Sequence, residues 1–143
     1  FAEIGLTRKG LVPSLGNSVL LVVAFSVSRS IGTGLKLSPD VNSWEAVTYS
    51  LLYWSLSGFG QEILFRGLIM FSFNRWKGWK VALLVSTVLF GIIHVFSYSI
   101  SGIIGVSLIG GLWGWIALKS NNIVGTSIAH SLFNFLFSFI LVF

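Results

Sequence analysis

The chain has 143 residues, 55% of them hydrophobic and only 9% charged, with a mean hydropathy of +0.91. A soluble domain carries roughly 25% charged residues, so an ordinary soluble fold is excluded and an all-α, polytopic bundle of transmembrane helices is expected. There is no cysteine, which excludes disulfides, thiolate ligands and a cysteine nucleophile, and the net charge of +5 sits mostly at the ends of apolar runs, where topology rather than nucleic acid accounts for it.

Residues 1 to 13 are a short polar lead-in with Arg8 and Lys9. The chain starts at Phe1 rather than Met, so it reads as one transmembrane domain, 1–143, preceded by further helices. The first apolar run extends from Ser14 to about Gly34, with Arg29 near its far end, where it can snorkel to the interface. Gly32, Gly34, Pro39, Asp40 and Asn42 mark a loop up to Ser43. The second run, about Trp44 to Asn74, is longer than a bilayer core, so it should tilt, or bend near Gly58 and Gly60. Arg75, Lys77 and Lys80 with Trp76 and Trp79 form a basic aromatic hinge. The third run is Val81 to about Ser97. The fourth, about Ser101 to Leu118, carries Gly102, Gly105, Gly110, Gly111 and Gly114, which suit close helix packing. Lys119, Asn121 and Asn122 make a turn before the fifth run, Ile123 to Phe143.

With about five spans, Arg8, Lys9, Arg75, Lys77, Lys80 and Lys119 fall on one side, and Lys36, Asp40 and Glu45 on the other. The positive-inside rule puts the N-terminus and the hinge in the cytoplasm. Trp76 and Trp79, and more loosely Trp113 and Trp115, then sit at a cytoplasmic aromatic belt. An integral protein of a bacterial inner membrane is expected, with the lipid bilayer as its surroundings.

The polar residues inside these runs carry the functional signal. Gly60-Gln61-Glu62-Ile63-Leu64-Phe65-Arg66-Gly67 puts an amide, an acid and a base into one of the most apolar stretches, and no charge occurs from Ala46 to Phe59. Charges at that depth are costly and are kept where they face a partner or a water-filled cavity. Glu62 and Arg66 are spaced i,i+4 and can pair on one helix face, so a structural ion pair pinning two helices also accounts for them. Both histidines lie in apolar runs, His94 in the third and His130 in the fifth. Each alone reads as a packing residue. Depth argues otherwise: Gln61 lies fourteen residues from Arg75, His94 fourteen from Lys80, and His130 eleven from Lys119 with Asn134 a turn deeper. At about 1.5 Å per residue three helices deliver Gln61/Glu62, His94 and His130/Asn134 to a similar level, which points to a shared buried site.

A carboxylate or histidine there could deprotonate a water that attacks a carbonyl, while a histidine and an amide stabilise the oxyanion. His130 and Asn134 share a face at i,i+4. Two histidines and a carboxylate could also hold a divalent metal such as zinc, with His94 and His130 as ligands. No His-Glu-x-x-His run is present, and no serine sits in a nucleophile-elbow sequence.

Gln61-Glu62-x-x-x-Arg66, Phe90-x-x-x-His94 and His130-x-x-x-Asn134, in that order over about residues 44 to 140, resemble the CAAX protease and bacteriocin-processing (CPBP, abortive-infection) family, intramembrane peptidases related to the type II CAAX prenyl endopeptidase. The resemblance implies a helical membrane fold, a polar cavity opening to the cytoplasm, and hydrolysis of a peptide or membrane-protein substrate. It implies that the water-activating base corresponds to Gln61, that Glu62 partners Arg66, that His94 binds or activates water, and that His130 and Asn134 stabilise the oxyanion. The motif usually begins with two glutamates, and glutamine cannot accept the proton. A base contributes about 10²–10⁴-fold. Three explanations follow: a natural non-catalytic relative, an introduced Glu-to-Gln change, or Glu62 acting as base. Two other classes stand beside the peptidase: a membrane binding or immunity protein on the same fold, and a small transporter using the His/Glu/Arg set as a proton relay.

Overall fold

The computed structural model describes residues 1–33, 36–38 and 42–142. The expectations for Gly34, Pro39 and Asp40, and for the side chains of Arg29 and Lys36, lie outside the described residues. The fold is helical. A short 3₁₀ turn, Ala2–Ile4, precedes α1 (Leu11–Thr33). Then come α2 (Trp44–Glu62), a π-helical segment (Ile63–Met70), α3 (Phe71–Lys77), α4 (Trp79–Ile92), α5 (Ile100–Ser120), α6 (Val124–Phe135) and a second π-helical segment (Leu136–Ile140). Two-residue strands, Lys36–Leu37 and Leu141–Val142, pair antiparallel.

The punctuation is local chemistry. Ser43 caps α2 by accepting the Ala46 N–H at 3.3 Å, and Ser99 caps α5 through the Gly102 N–H at 3.4 Å. Gly78, at φ +82°, separates α3 from α4, and Asn121, at φ 51°, ends α5 in the left-handed region that asparagine tolerates. The long second run is therefore one rod, Trp44 to Lys77. Its adjustment falls at Ile63, just beyond the glycines, as a change of hydrogen-bond register: the Phe71 N–H reaches Arg66 O, five residues back. Such π turns gather at functional sites because they re-aim side chains.

Most of each of the five apolar runs is helical over the described residues. Windows within α1 (Leu11–Ser28) and α5 (Ile100–Ser120) are long and apolar enough to cross a membrane unaided, and α4 is a shorter apolar helix. Leu20, Leu56, Leu84 and Leu108 are well exposed, as lipid-facing residues are. Lipid is as apolar as leucine, so burial of such residues does not drive assembly; close packing and polar contacts do. α6 supplies both. It packs on α1 and α2, α4 packs on α5, and Thr126, Ser127 and Ser131 are buried along α6. A Cβ on Gly58 would lie 2.8 Å from Ser131 N and 2.9 Å from its Cα, so only glycine permits α2 to lie this close to α6. The glycines of α5 act similarly at Gly110, Gly111 and Gly114, which face Phe90, Thr87 and Leu83 of α4, whereas Gly105 faces open space.

Two apolar clusters fill the bundle. Met70, Phe71, Ala82, Ala117 and Ile123 pack near the basic hinge, and Val22, Trp113 and Ala129 pack further along. Trp115 and Trp79 meet at 5.2 Å, in keeping with an aromatic belt. Trp113 does not join them. It is 2% exposed and stacks on His130 in the interior, because its position on α5 faces α6 rather than lipid. The Asn122 turn is also more than a connection: its side chain is buried and bonds Thr7 O and Lys9 O, tying the N-terminal segment to the start of α6.

Candidate active site

Glu62 ends α2 and Arg66 lies one turn on, within the π-helical segment; both side chains are 0% exposed. Arg66 Nη1 stands 3.3 Å from Glu62 Oε1, an ion contact rather than an aligned hydrogen bond. The guanidinium is held on two further sides. Nη2 donates to Gly110 O at 2.6 Å, and Cζ lies 4.2 Å above the Phe90 ring centroid. These contacts join the α2 rod to α4 and α5, which is the pinning role that the i,i+4 spacing allows. A buried charge pair held this way is costly to split.

Glu62 has a second partner. His130 Nδ1 donates to Glu62 Oε1 at 3.0 Å. Trp113 covers the imidazole in a stack with centroids 4.6 Å apart and planes at 27°. Phe90 meets it edge-on at 5.7 Å. His94 is placed by different means. The helical run ends at Ile92, and His94 falls in a turn closed by its N–H to Gly91 O at 3.0 Å. Its Nδ1 donates to Phe90 O at 2.8 Å. A carbonyl and a carboxylate only accept, so both histidines carry a proton on Nδ1, and the tautomer that this leaves to a neutral ring has Nε2 as its acceptor.

His94, His130 and Asn134 line one cavity of about 370 Å³. Phe25, Phe90, Tyr98, Trp113, Phe133 and Phe137 give it an aromatic wall. The third and fifth runs thus bring their polar residues together, as depth counting predicts. The second run contributes indirectly: Glu62 and Arg66 lie behind His130 and do not line the cavity. Gln61 is half-buried and donates through Nε2 to Ser57 Oγ on its own helix at 3.1 Å; it too is absent from the lining. Trp113, not singled out for function in the sequence, belongs to the site. Its indole N–H is buried with no hydrogen-bond partner among the described residues.

A catalytic zinc takes three protein ligands and an open position. Among the described residues no three His, Cys, Asp or Glu side chains come together to hold a metal ion. Glu62 is engaged by Arg66 and His130 behind the cavity, so His94 and His130 fall short of that set.

The cavity also has a side. The turn carrying His94 and Tyr98 is at the end of α4 opposite the basic hinge, and Phe25, Asn134 and Phe137 lie in the distal parts of their helical runs. The cavity therefore occupies the half of the bundle away from Arg75, Lys77, Lys80 and Lys119.

Fold and cavity together define a polytopic helical membrane protein with a polar site inside the bundle. The family described as type II CAAX prenyl endopeptidase Rce1-like matches residues 43–136, a span that contains every one of these polar residues, and the chain belongs to this family. It is a family of membrane-embedded CAAX-type proteases, so at the family level the protein is a hydrolase. No curated protein and no solved structure matches the chain.

Proposed function

We propose that this protein is an intramembrane endopeptidase that hydrolyses a peptide bond with an activated water, the reaction taking place in the cavity of His94, His130 and Asn134. The observation that carries this reading is the convergence on one aromatic-walled cavity of a carboxamide and two histidines whose Nδ1 atoms are both engaged elsewhere. Two ring acceptors can hold the two hydrogens of one water, and the Asn134 amide can donate to the oxyanion of the tetrahedral intermediate. The aromatic wall suits apolar groups of a membrane-tethered peptide or membrane-protein segment. The family's name points to CAAX prenyl proteins, and for a bacterial chain a leader peptide or a membrane protein is the alternative substrate.

Gln61 occupies the position that the resemblance assigns to the base. As an amide it takes no proton, and in this rotamer it donates to Ser57 and does not line the cavity, a bond that a glutamate at this position has no N–H to make. This favours a second reading, a membrane binding or immunity protein that keeps the fold without the chemistry. Cleavage of liposome-anchored peptides by the chain and by its Gln61→Glu form separates the two. The peptidase reading predicts cleavage that Gln61→Glu increases, by up to about 10²–10⁴-fold. Capture of a peptide without cleavage by either form supports the binding reading instead.

With the basic end cytoplasmic, the cavity lies towards the opposite face. The opening to the cytoplasm that the resemblance implies and the positive-inside orientation of this chain therefore pull in opposite directions. We place the basic end in the cytoplasm of a bacterial inner membrane, which brings substrate to the cavity from the bilayer or the outer side.

A further inference from the structure

We infer that His130, positioned by Glu62, is the group that deprotonates the water in this chain. The inference rests on the endopeptidase reading and supplies the base that Gln61 cannot provide. Glu62 Oε1 accepts the His130 Nδ1 proton at 3.0 Å, so in the neutral ring the lone pair is on Nε2. A neutral ring in this tautomer cannot donate to an oxyanion from Nε2; it must first accept a proton there. Glu62 lies behind the ring and outside the cavity lining, so the edge bearing Nε2 is the one left to the cavity.

His94 has the same tautomer, yet its Nδ1 rests on the neutral Phe90 carbonyl. His130 rests on a carboxylate, which stabilises the imidazolium formed when a proton is taken; this is the arrangement in which a buried acid orients a histidine base. The Trp113 stack fixes the ring plane, and Arg66 fixes the carboxylate.

The step balances within the site. A water O–H bond breaks, its proton goes to His130 Nε2, and the oxygen bonds the peptide carbonyl carbon, whose π pair moves to the carbonyl oxygen. On collapse the C–N bond breaks, and the leaving nitrogen takes the proton from Nε2. The products are a carboxylic acid and an amine, and His130 returns to its starting tautomer. His130 is thus a catalytic residue and Glu62 a positioning residue.

The test adds Glu62→Gln to the unaltered chain and, separately, to the Gln61→Glu form, and measures kcat/KM on liposome-anchored peptides. The expected result is a loss of about 10²–10⁴-fold in the unaltered chain and a much smaller loss where Gln61→Glu supplies another base. Equal losses in the two backgrounds would make Glu62 merely structural and overturn the inference. A silent unaltered chain beside an active Gln61→Glu form would overturn it and leave the endopeptidase reading intact. Silence from both overturns the endopeptidase reading itself, and the inference with it. If Glu62→Gln does not fold, ¹⁵N NMR of His130 in the unaltered chain decides. A protonated Nδ1 with a bare Nε2 is expected, and a neutral ring with its proton on Nε2 refutes the assignment.

Discussion

His130 shows how a single residue is defined by what lies behind it. From the sequence it is a histidine one turn from an asparagine, and a packing role would account for it. In the fold its ring is fixed by Glu62 at 3.0 Å and by Trp113 at 4.6 Å. The Glu62–Arg66 pair was legible, because i,i+4 spacing in an apolar run leaves few alternatives. Trp113 was not: it lies among the glycines of an apolar helix, and nothing in its neighbours says whether it faces lipid or α6. Gln61 was legible as a position but not as an orientation, since its bond to Ser57 depends on a rotamer. Trp113→Ala should remove the lid on His130 and open a void in the interior. The expected cost is about 3–5 kcal/mol, read as a lower unfolding midpoint in detergent. Trp113→Phe, which keeps an aromatic stack, should cost much less, and equal costs for the two would show that the stack contributes little.

At the scale of elements, the five helical runs were legible to within a few residues, because the apolar stretches are long and glycine, asparagine and basic residues punctuate them. Two features were not. The second run does not simply bend at Gly58 and Gly60; Gly58 instead lets α6 approach, and the ladder shifts to π spacing after Glu62. The third run ends early, so His94 sits in a turn that carries it to the cavity. Neither hydropathy nor periodicity registers a ladder shift of one residue. Close packing of α2 on α6 gives a prediction at this scale. In Gly58→Ala the new Cβ would meet the Ser131 backbone at 2.8–2.9 Å, closer than a Cβ can sit. The two helices must separate, at a cost of about 1–3 kcal/mol, and His130 moves with Ser131. A thermal melt and a cleavage assay should both fall. An unchanged midpoint would mean that the α2–α6 contact yields easily.

For the whole molecule, membrane embedding followed from composition, and family membership from three short motifs whose residues span most of the chain. The side of the membrane that the cavity faces did not follow, because depth counting gives distance from the basic ends but not the direction of approach. The absence of cysteine makes this testable, since single cysteines can be introduced at Lys77 and Ser101 without background. In intact bacterial cells, an impermeant thiol reagent should label Ser101→Cys and spare Lys77→Cys. The reverse pattern would invert the bundle and return the cavity to the cytoplasmic side.

The central claim is that two histidines from separate apolar runs form one hydrolytic cavity. Its most direct test is the rate of cleavage of liposome-anchored peptides by the unaltered chain, alone and with His94→Ala or His130→Ala, each checked for an unchanged melting profile. The account predicts cleavage in the parent form and its abolition by either alanine. Full activity in a folded His94→Ala or His130→Ala protein would contradict it.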